Sequence, residues 1–176
     1  GQSVLNLYKI LSKSDSNWEK WHIYIGDERF LSAGHKDRND RLINEVWLNN
    51  SPIPKKNIHF IKAELGLLKA REECENTLKE VDKFDIVLLS MGEDGHIASL
   101  FPNHLYPEDQ MVVVERNSPK SPKERVSMSY KRLNKSRYVF KLIIGESKQK
   151  AITLLEQNVN LPIVRVNGDC EKIYHL

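Results

Sequence analysis

The chain has 176 residues, 40% of them hydrophobic and 29% charged, which is the ordinary composition of one globular domain. Its 27 Lys and Arg residues nearly balance its 24 Asp and Glu residues, so the formal net charge is only +3, which excludes a polybasic nucleic-acid-binding tail and an acidic solvating segment. No apolar run approaches the roughly 18 residues that span a bilayer, and the two cysteines argue against a disulfide-framed secreted domain and favour a reducing compartment, predicted to be the cytoplasm.

The first half of the chain alternates between predicted helices and strands. Residues 4–11 carry apolar side chains at helical spacing, with Ser3 as the predicted N-cap. Polar and apolar residues alternate over 21–26, which predicts a strand. The other elements predicted in this half are a helix over 42–48, a short strand over 57–61 and a helix over 66–80.

The second half contains the most apolar run of the chain, over 84–91. Such a run is typical of a central parallel strand that is covered on both faces. The other elements predicted here are strands over 111–114, 125–129, 138–144, 162–166 and 172–176, and a helix over 148–157.

This alternation favours an α/β layer fold around a mostly parallel sheet, in which ligands bind beyond the carboxyl ends of the strands. No repeat or linker interrupts the sequence, so 1–176 is predicted to be a single domain. The chain opens at Gly1 without an initiator Met and without the basic and apolar regions of a signal peptide. We therefore expect a processed or truncated N-terminus.

Three polar clusters follow predicted strands, at 27–29, 92–96 and 145–148. Because the carboxyl ends of parallel strands meet at one edge of a sheet, the three clusters are expected to converge. His96 has two interpretations: a general base with an ordinary pKa near 6.5, or a turn histidine near a helix start. Asp27 and Arg29 are either a substrate-polarising pair or a surface ion pair worth about 0–1 kcal/mol.

Arg125 and Lys148 lie in segments rich in Gly, Ser and Pro. They are candidates to bind a phosphate, Arg as a fork and Lys as a point charge, although each taken singly is more often a solvated charge. The sequence has no Cys/His set with zinc spacing, no nucleotide-binding glycine fingerprint and no G-x-S-x-G turn. It therefore predicts no metal site, no nucleotide site and no serine nucleophile.

The segment 91–102 closely resembles the G-x-D-G-H-x-A-S-L-F-P signature of the 6-phosphogluconolactonase family. Three further matches follow the family's order: 26–29 resembles its D-E-R motif, 118–127 its S-P-K-x-P-x-x-R-[VI]-[ST] segment, and 145–148 its G-x-x-K turn. The resemblance covers nearly the whole chain. Glucosamine-6-phosphate deaminases of the same superfamily share G-x-D-G-H, but they continue with an A-F-N-E-P type sequence and tend to carry D-E-Y, so both differences favour the lactonases.

The resemblance implies a Rossmann-like, mostly parallel sheet with helices on both faces, and hydrolysis of 6-phospho-D-glucono-1,5-lactone without metal or organic cofactor. It implies that His96 activates water, that Arg29 stabilises negative charge, and that Asp27 holds Arg29 or a sugar hydroxyl. The residues it implies for binding the sugar and the phosphate are Gly1, Ser3, Asn39, Asp94, Gly95, Arg125 and Lys148. The expected partner is a small phosphosugar lactone, with neither nucleic acid nor membrane, and the expected state is a monomer or weak homo-oligomer.

Two departures from the family pattern matter. The chain begins within the family's S-G-G-S-T-P phosphate loop, with Gln2 where the second Gly is usual, so the first strand is expected to be missing. Arg38 stands where the family usually has Ser, and it is expected either to add a cation near the substrate or to point to solvent. The alternatives are a deaminase or sugar-phosphate isomerase of the same superfamily, and a non-catalytic sugar-phosphate-binding module.

Overall fold

The structure is a computed structural model that describes residues 4–175. Within these residues the α-helices are Leu5–Leu11 (α1), Asn39–Val46 (α2), Leu67–Leu78 (α3), Tyr130–Asn134 (α4) and Gln149–Glu156 (α5). The strands of the same part of the chain are Ile23–Tyr24 (β1), Asp27–Arg29 (β2), Ile58–His59 (β3), Phe84–Ser90 (β4), Val112–Glu115 (β5), Arg125–Met128 (β6), Ser136–Ile143 (β7) and Cys170–His175 (β8). The α/β class is therefore confirmed. None of the helices over 4–175 is long and apolar enough to cross a membrane.

The strands form two parallel groups and one antiparallel group. β1 pairs with β3, and β4, β7 and β8 form a three-stranded sheet in that order, in both cases with parallel pairing. β2, β6 and β5 form an antiparallel sheet, in which Asp27 lies opposite Ser127 and Arg29 opposite Arg125. The prediction of mostly parallel pairing holds, and the antiparallel group carries the Asp27–Arg29 segment.

β7 is the middle strand of the described three-stranded parallel sheet, whereas the sequence predicted a central place for the more apolar β4. Val139 and Ile143 of β7 are buried, but Ile86 of β4 is 55% exposed. An apolar run indicates that a strand is largely covered, but it does not indicate how many neighbours the strand has.

Two segments differ from their predicted structure. Asp27–Arg29 was expected to be a polar cluster that follows a strand over 21–26, but it is itself a strand, because β6 pairs with it. The predicted strand over 162–166 is instead a 3₁₀ turn, Pro162–Arg165. Pro162 begins that turn, where its missing N–H costs nothing, and Ile163 is buried without pairing in a sheet.

A hydrophobic cluster packs against β1 and the residues that lead into β2. It is centred on Trp47, whose ring lies 6.0 Å from that of Trp18 and 5.8 Å from that of Tyr8, and it includes Ile25 and Ile43. Ile43 belongs to α2, so this cluster packs α2 beside the strand residues that immediately precede Asp27. The same packing brings Asn39, the first residue of α2, close to β2.

Candidate active site

The turn after β4 places His96 at the carboxyl edge of the parallel sheet. The Gly92 N–H donates to the His96 carbonyl at 2.8 Å and closes the turn. A Cβ at Gly92 would lie 2.0 Å from Nδ1 of His96, so only glycine leaves room for the ring. Gly95 has φ +85°, and a Cβ there would lie 2.6 Å from Leu161. Both glycines are therefore required by the position of the histidine ring and its turn.

Asp94 contacts the ring of His96. Its Oδ1 lies 2.5 Å from Nδ1 of His96 and also accepts the His96 backbone N–H at 3.2 Å. Partial burial raises the pKa of Asp94, but these hydrogen bonds and the charge of His96 outweigh it and lower the pKa to about 2. An ionised carboxylate only accepts hydrogen bonds, so Nδ1 of His96 is the donor in this pair and Nε2 is the nitrogen left to exchange a proton with a ligand or water.

Sequence reasoning predicted that Asp94 binds substrate; the structure adds a contact it did not anticipate, between this carboxylate and the imidazole of His96. A carboxylate in this place fixes the tautomer and stabilises the imidazolium that forms when Nε2 takes a proton. The His96 side chain is 17% exposed, and its ring packs 4.7 Å from that of Phe101. Among residues 4–175, the hydrogen bonds of the His96 ring go through Nδ1 alone.

Asp27 and Arg29 share one face of β2, because side chains alternate along a strand and Glu28 between them is fully buried. Asp27 is held from two directions. Its Oδ1 accepts from Nδ2 of Asn39 at 3.1 Å, and its Oδ2 accepts from the Ser99 hydroxyl at 2.6 Å. Ser99 lies three residues after His96, so this bond joins the D-E-R strand to the histidine turn.

Arg29 and Arg125 lie opposite each other in the β2–β6 pair. Burial lowers the pKa of Arg125, and the charge of Arg29 lowers it further, while the charge of Asp27 opposes the shift. Like charges that face each other across strands repel. The Arg29 Nε is buried and has no hydrogen-bond partner among residues 4–175. A positive site with an unsatisfied donor is suited to an anionic or oxygen-rich ligand.

Arg125 is engaged by its own loop to a greater extent than sequence reasoning expected. Its Nε donates to the Pro122 carbonyl at 3.1 Å and its Nη2 donates to the Lys120 carbonyl at 3.0 Å, while its guanidinium lies 5.5 Å from the centre of the Phe101 ring. The side chain is only 5% exposed. Arg125 thus orders residues 120–122 as well as contributing positive charge to the site.

Lys148 follows β7 at the same sheet edge, in the 3₁₀ turn Glu146–Lys148. Its charge helps to lower the pKa of Glu93, after the larger effect of Lys120, whose Nζ donates to Glu93 at 2.8 Å. Glu93 directly precedes Asp94, so two lysines lie near the histidine turn. The predicted convergence of the 27–29, 92–96 and 145–148 clusters agrees with this arrangement.

The remaining predicted residues fall into two groups. Asn39 and Gly95 lie in the site, as the bonds of Asn39 to Asp27 and the backbone of the histidine turn show. Gly1 and Ser3 lie outside the residues that the structure describes.

Arg38 fits neither expectation for it, because it is 2% exposed and bonded to protein groups rather than directed to substrate or solvent.

Sequence reasoning missed Glu28 and Ser99. Both stand inside the recognised motifs, and the period of two along a strand places Glu28 inward once Asp27 and Arg29 are taken as outward. The burial of Glu28 raises its pKa to about 7, although the N–H groups of Asn39, Asp40 and Arg29 oppose the rise. No local signal in the sequence indicates the bond of Ser99 to Asp27.

Comparison with known proteins identifies the family. The model of a family described as glucosamine-6-phosphate isomerases/6-phosphogluconolactonase matches residues 1–174. The chain belongs to this family. A 6-phosphogluconolactonase of Thermotoga maritima is 34% identical over 171 residues, which cover 96% of this chain and 77% of that protein. A crystal structure of 6-phosphogluconolactonase from the same organism has a TM-score of 0.90 at 32% identity and covers 99% of this chain and 81% of that one.

A plant relative is matched over less of its length. The chloroplastic 6-phosphogluconolactonase 3 of Arabidopsis thaliana is 34% identical, and the match covers 92% of this chain and 56% of that protein. The chain thus spans about half the length of this relative and about three quarters of the Thermotoga one. The match to the family model spans the positions of all the motifs described above.

The steric requirement at Gly92 predicts a large loss of stability in Gly92→Ala. The new methyl group would displace the Nδ1 edge of the His96 ring, and overpacking of this kind costs about 1–3 kcal/mol. Urea unfolding measures the effect. Gly26→Ala is the matched control, because a Cβ at Gly26 meets nothing within 4 Å. Equal stabilities for the two variants would contradict the assignment.

The raised pKa of Glu28 predicts that stability depends on pH. A carboxyl group with a pKa of about 7 when folded and near 4.3 when unfolded binds its proton more tightly in the folded state. Its contribution is complete below about pH 4 and is lost as the pH rises through 7, by about 4 kcal/mol at most. Urea unfolding of wild type and Glu28→Gln at pH 5 and 8 tests this, and the variant is expected to lose less stability over that interval.

Proposed function

We propose that the chain hydrolyses 6-phospho-D-glucono-1,5-lactone to 6-phospho-D-gluconate, the second step of the oxidative pentose phosphate pathway. The observation that carries the proposal is the Asp94–His96 pair beside the paired cations Arg29 and Arg125: the His96 ring and the Arg125 guanidinium both pack on the Phe101 ring, at 4.7 and 5.5 Å. Activation of water beside a cationic pocket is the chemistry that an anionic lactone requires. The names of the relatives in Thermotoga maritima and Arabidopsis thaliana support the same reaction.

In this mechanism the Nε2 of His96 takes a proton from water as the water oxygen bonds to the lactone carbonyl carbon. Asp94 stabilises the imidazolium that results. Arg29 stabilises the negative charge that develops on the carbonyl oxygen. The ring C–O bond then breaks as the imidazolium returns its proton to the departing sugar oxygen, and the carboxylic acid that is left ionises by releasing the second water proton to solvent.

The substrate is held by Asp27 and Asn39 together with the cations Arg125 and Lys148. Asp27 is fixed by Ser99 and Asn39, so one carboxylate is placed beside Arg29 to orient that residue or a sugar hydroxyl. Arg125 and Lys148 bind the phosphate, Arg125 through the part of its guanidinium that the loop carbonyls leave free. Gly1 and Ser3 are expected to add backbone and hydroxyl donors to this phosphate site.

The proposed setting is the cytoplasm, with the protein acting as a monomer or weak homo-oligomer on a small molecule. Both cysteines are unpaired. Burial raises the pKa of Cys74 to about 12, so this thiol is an unreactive core group. Unpaired cysteines suit a reducing compartment.

Replacement of His96 tests the assignment of the base. His96→Asn keeps a polar side chain beside Asp94 but cannot take a proton, so the rate of lactone hydrolysis above the spontaneous background is expected to fall by about 10²–10⁴. Circular dichroism and urea unfolding should show an intact fold. Full activity in the variant would remove His96 from the mechanism, and release of ammonia from glucosamine 6-phosphate by wild type would favour the deaminase instead.

Replacement of Arg125 tests the phosphate site. Arg125→Ala is expected to raise KM for the lactone about tenfold or more with a smaller change in kcat, because phosphate binding is shared by the ground state and the transition state. Arg125→Lys should recover part of the loss, since it keeps the charge but not the fork. Arg116→Ala removes an exposed arginine of the neighbouring segment, paired with Glu124 at 3.2 Å, and should leave KM unchanged. An unaltered KM in Arg125→Ala would refute the role.

A further inference from the structure

A buried group of charges lies behind the site, at the junction of β2 and α2. Arg38 is 2% exposed and Glu28 is fully buried. Arg38 donates to the Asp40 carboxylate from Nε at 2.9 Å and from Nη2 at 2.6 Å, and from Nη1 to Glu64 at 2.7 Å. Its Nε also lies 3.9 Å from a carboxylate oxygen of Glu28.

The other donors of Arg38 reach backbone carbonyls. Nη1 donates to the Leu31 carbonyl at 3.0 Å, and Nη2 donates to the Ile61 carbonyl at 3.3 Å. All three guanidinium nitrogens are therefore used, and they link the 30–38 segment to residues 61–64. A lysine has one nitrogen with three donors and cannot reproduce this fork.

The Glu28 carboxylate accepts three backbone N–H groups. They come from Arg29 at 2.8 Å, Asn39 at 2.9 Å and Asp40 at 2.9 Å. One side chain therefore fixes the distance between β2 and the first turn of α2. That distance controls whether Asn39 can donate to the carbonyl and carboxylate oxygens of Asp27, at 2.8 and 3.1 Å.

The segment that Arg38 anchors also orients Arg29. The Nη1 of Arg29 donates to the Asp37 carbonyl at 2.6 Å, and Asp37 directly precedes Arg38. Displacement of Arg38 would therefore move the acceptor that aims the Arg29 guanidinium. Glu28 acts on the other end of the same residue, through the Arg29 backbone N–H.

We propose that Glu28 and Arg38 are positioning residues for the reaction, which touch no substrate and hold Asp27, Arg29 and Asn39 in their working geometry. This inference rests on the proposed lactone hydrolysis, because those three residues are its polar machinery around the sugar ring. A buried ion cluster contributes little net stability over apolar packing of the same volume. Its effect is on geometry, because charged hydrogen bonds fix the position and orientation of the groups that they join.

The test compares Glu28→Gln, Arg38→Met and Arg38→Lys with a control on the same helix. Arg41→Met removes an exposed arginine that pairs with Glu45 and is expected to behave as wild type. Lactone hydrolysis is measured at pH 8 and well below every unfolding midpoint. We expect kcat to fall about 10–100-fold in Glu28→Gln and Arg38→Met with KM changed less than about threefold, since misplacement of about 1 Å has effects of this order. Arg38→Lys should recover part of kcat.

Amide hydrogen exchange on the unliganded variants gives a readout that does not depend on activity. The amides of Arg29, Asn39 and Asp40 should exchange at least about tenfold faster in Glu28→Gln, while those of β7 keep their wild-type rates. Wild-type kcat in the folded variants would overturn the proposal. A uniform rise in exchange over the whole chain would do the same, because it would show a loss of global stability alone.

The lactone assay and the amide exchange measurement together distinguish failure of this inference from failure of the proposed function. If the wild-type chain does not hydrolyse the lactone, lactone hydrolysis is refuted, and the positioning role in that reaction falls with it. Faster amide exchange confined to β2 and α2 in Glu28→Gln and Arg38→Met would then still support the conclusion that Glu28 and Arg38 hold β2 against α2. Unchanged exchange at Arg29 and Asn39 would overturn that ordering whatever the activity.

Discussion

The pairing of β2 with β6 is the constraint on which the whole site depends. It sets Arg29 opposite Arg125 and Asp27 opposite Ser127. Because neighbouring side chains of a strand point to opposite faces, a slip of one residue would turn Asp27 and Arg29 inward and Glu28 outward. The register is held on both faces of β2, by the amides that bind buried Glu28 and by the hydroxyl of Ser99 that binds Asp27.

This pairing also concentrates positive charge, at an electrostatic cost. Burial and the charge of Arg29 both disfavour the charged form of Arg125, and Lys148 and Lys120 lie near the adjoining turn. The near-neutral net charge of +3 gives no indication of this local excess. An anionic substrate would relieve the repulsion, and the electrostatic field of these cations would favour its approach. The antiparallel sheet positions Asp27, Arg29 and Arg125, whereas turns at the carboxyl edge of the parallel sheet position His96 and Lys148.

Much of the fold was predictable because its signals are local. The apolar periodicities of β4, β7 and α3 lie within single segments, and the structure agrees with them to within a few residues. The failures occurred where partners are distant. Asp27–Arg29 is a strand only because β6 pairs with it. Pro162–Arg165 is a turn whose Ile163 N–H donates to the Gly95 carbonyl. The apolar run in this segment does not distinguish such a turn from a strand.

The sequence by itself determined which side chains can do chemistry: His96 in its glycine turn, Asp27 with Arg29, and the cations Arg125 and Lys148. Only the tertiary structure decided what each of them faces. It turned Asp94 toward His96, brought Ser99 to Asp27, and buried Arg38 with Glu28 behind the site. The physical reason is that residue type sets the available proton chemistry and charge, whereas burial and most hydrogen-bond partners depend on contacts between segments far apart in the chain.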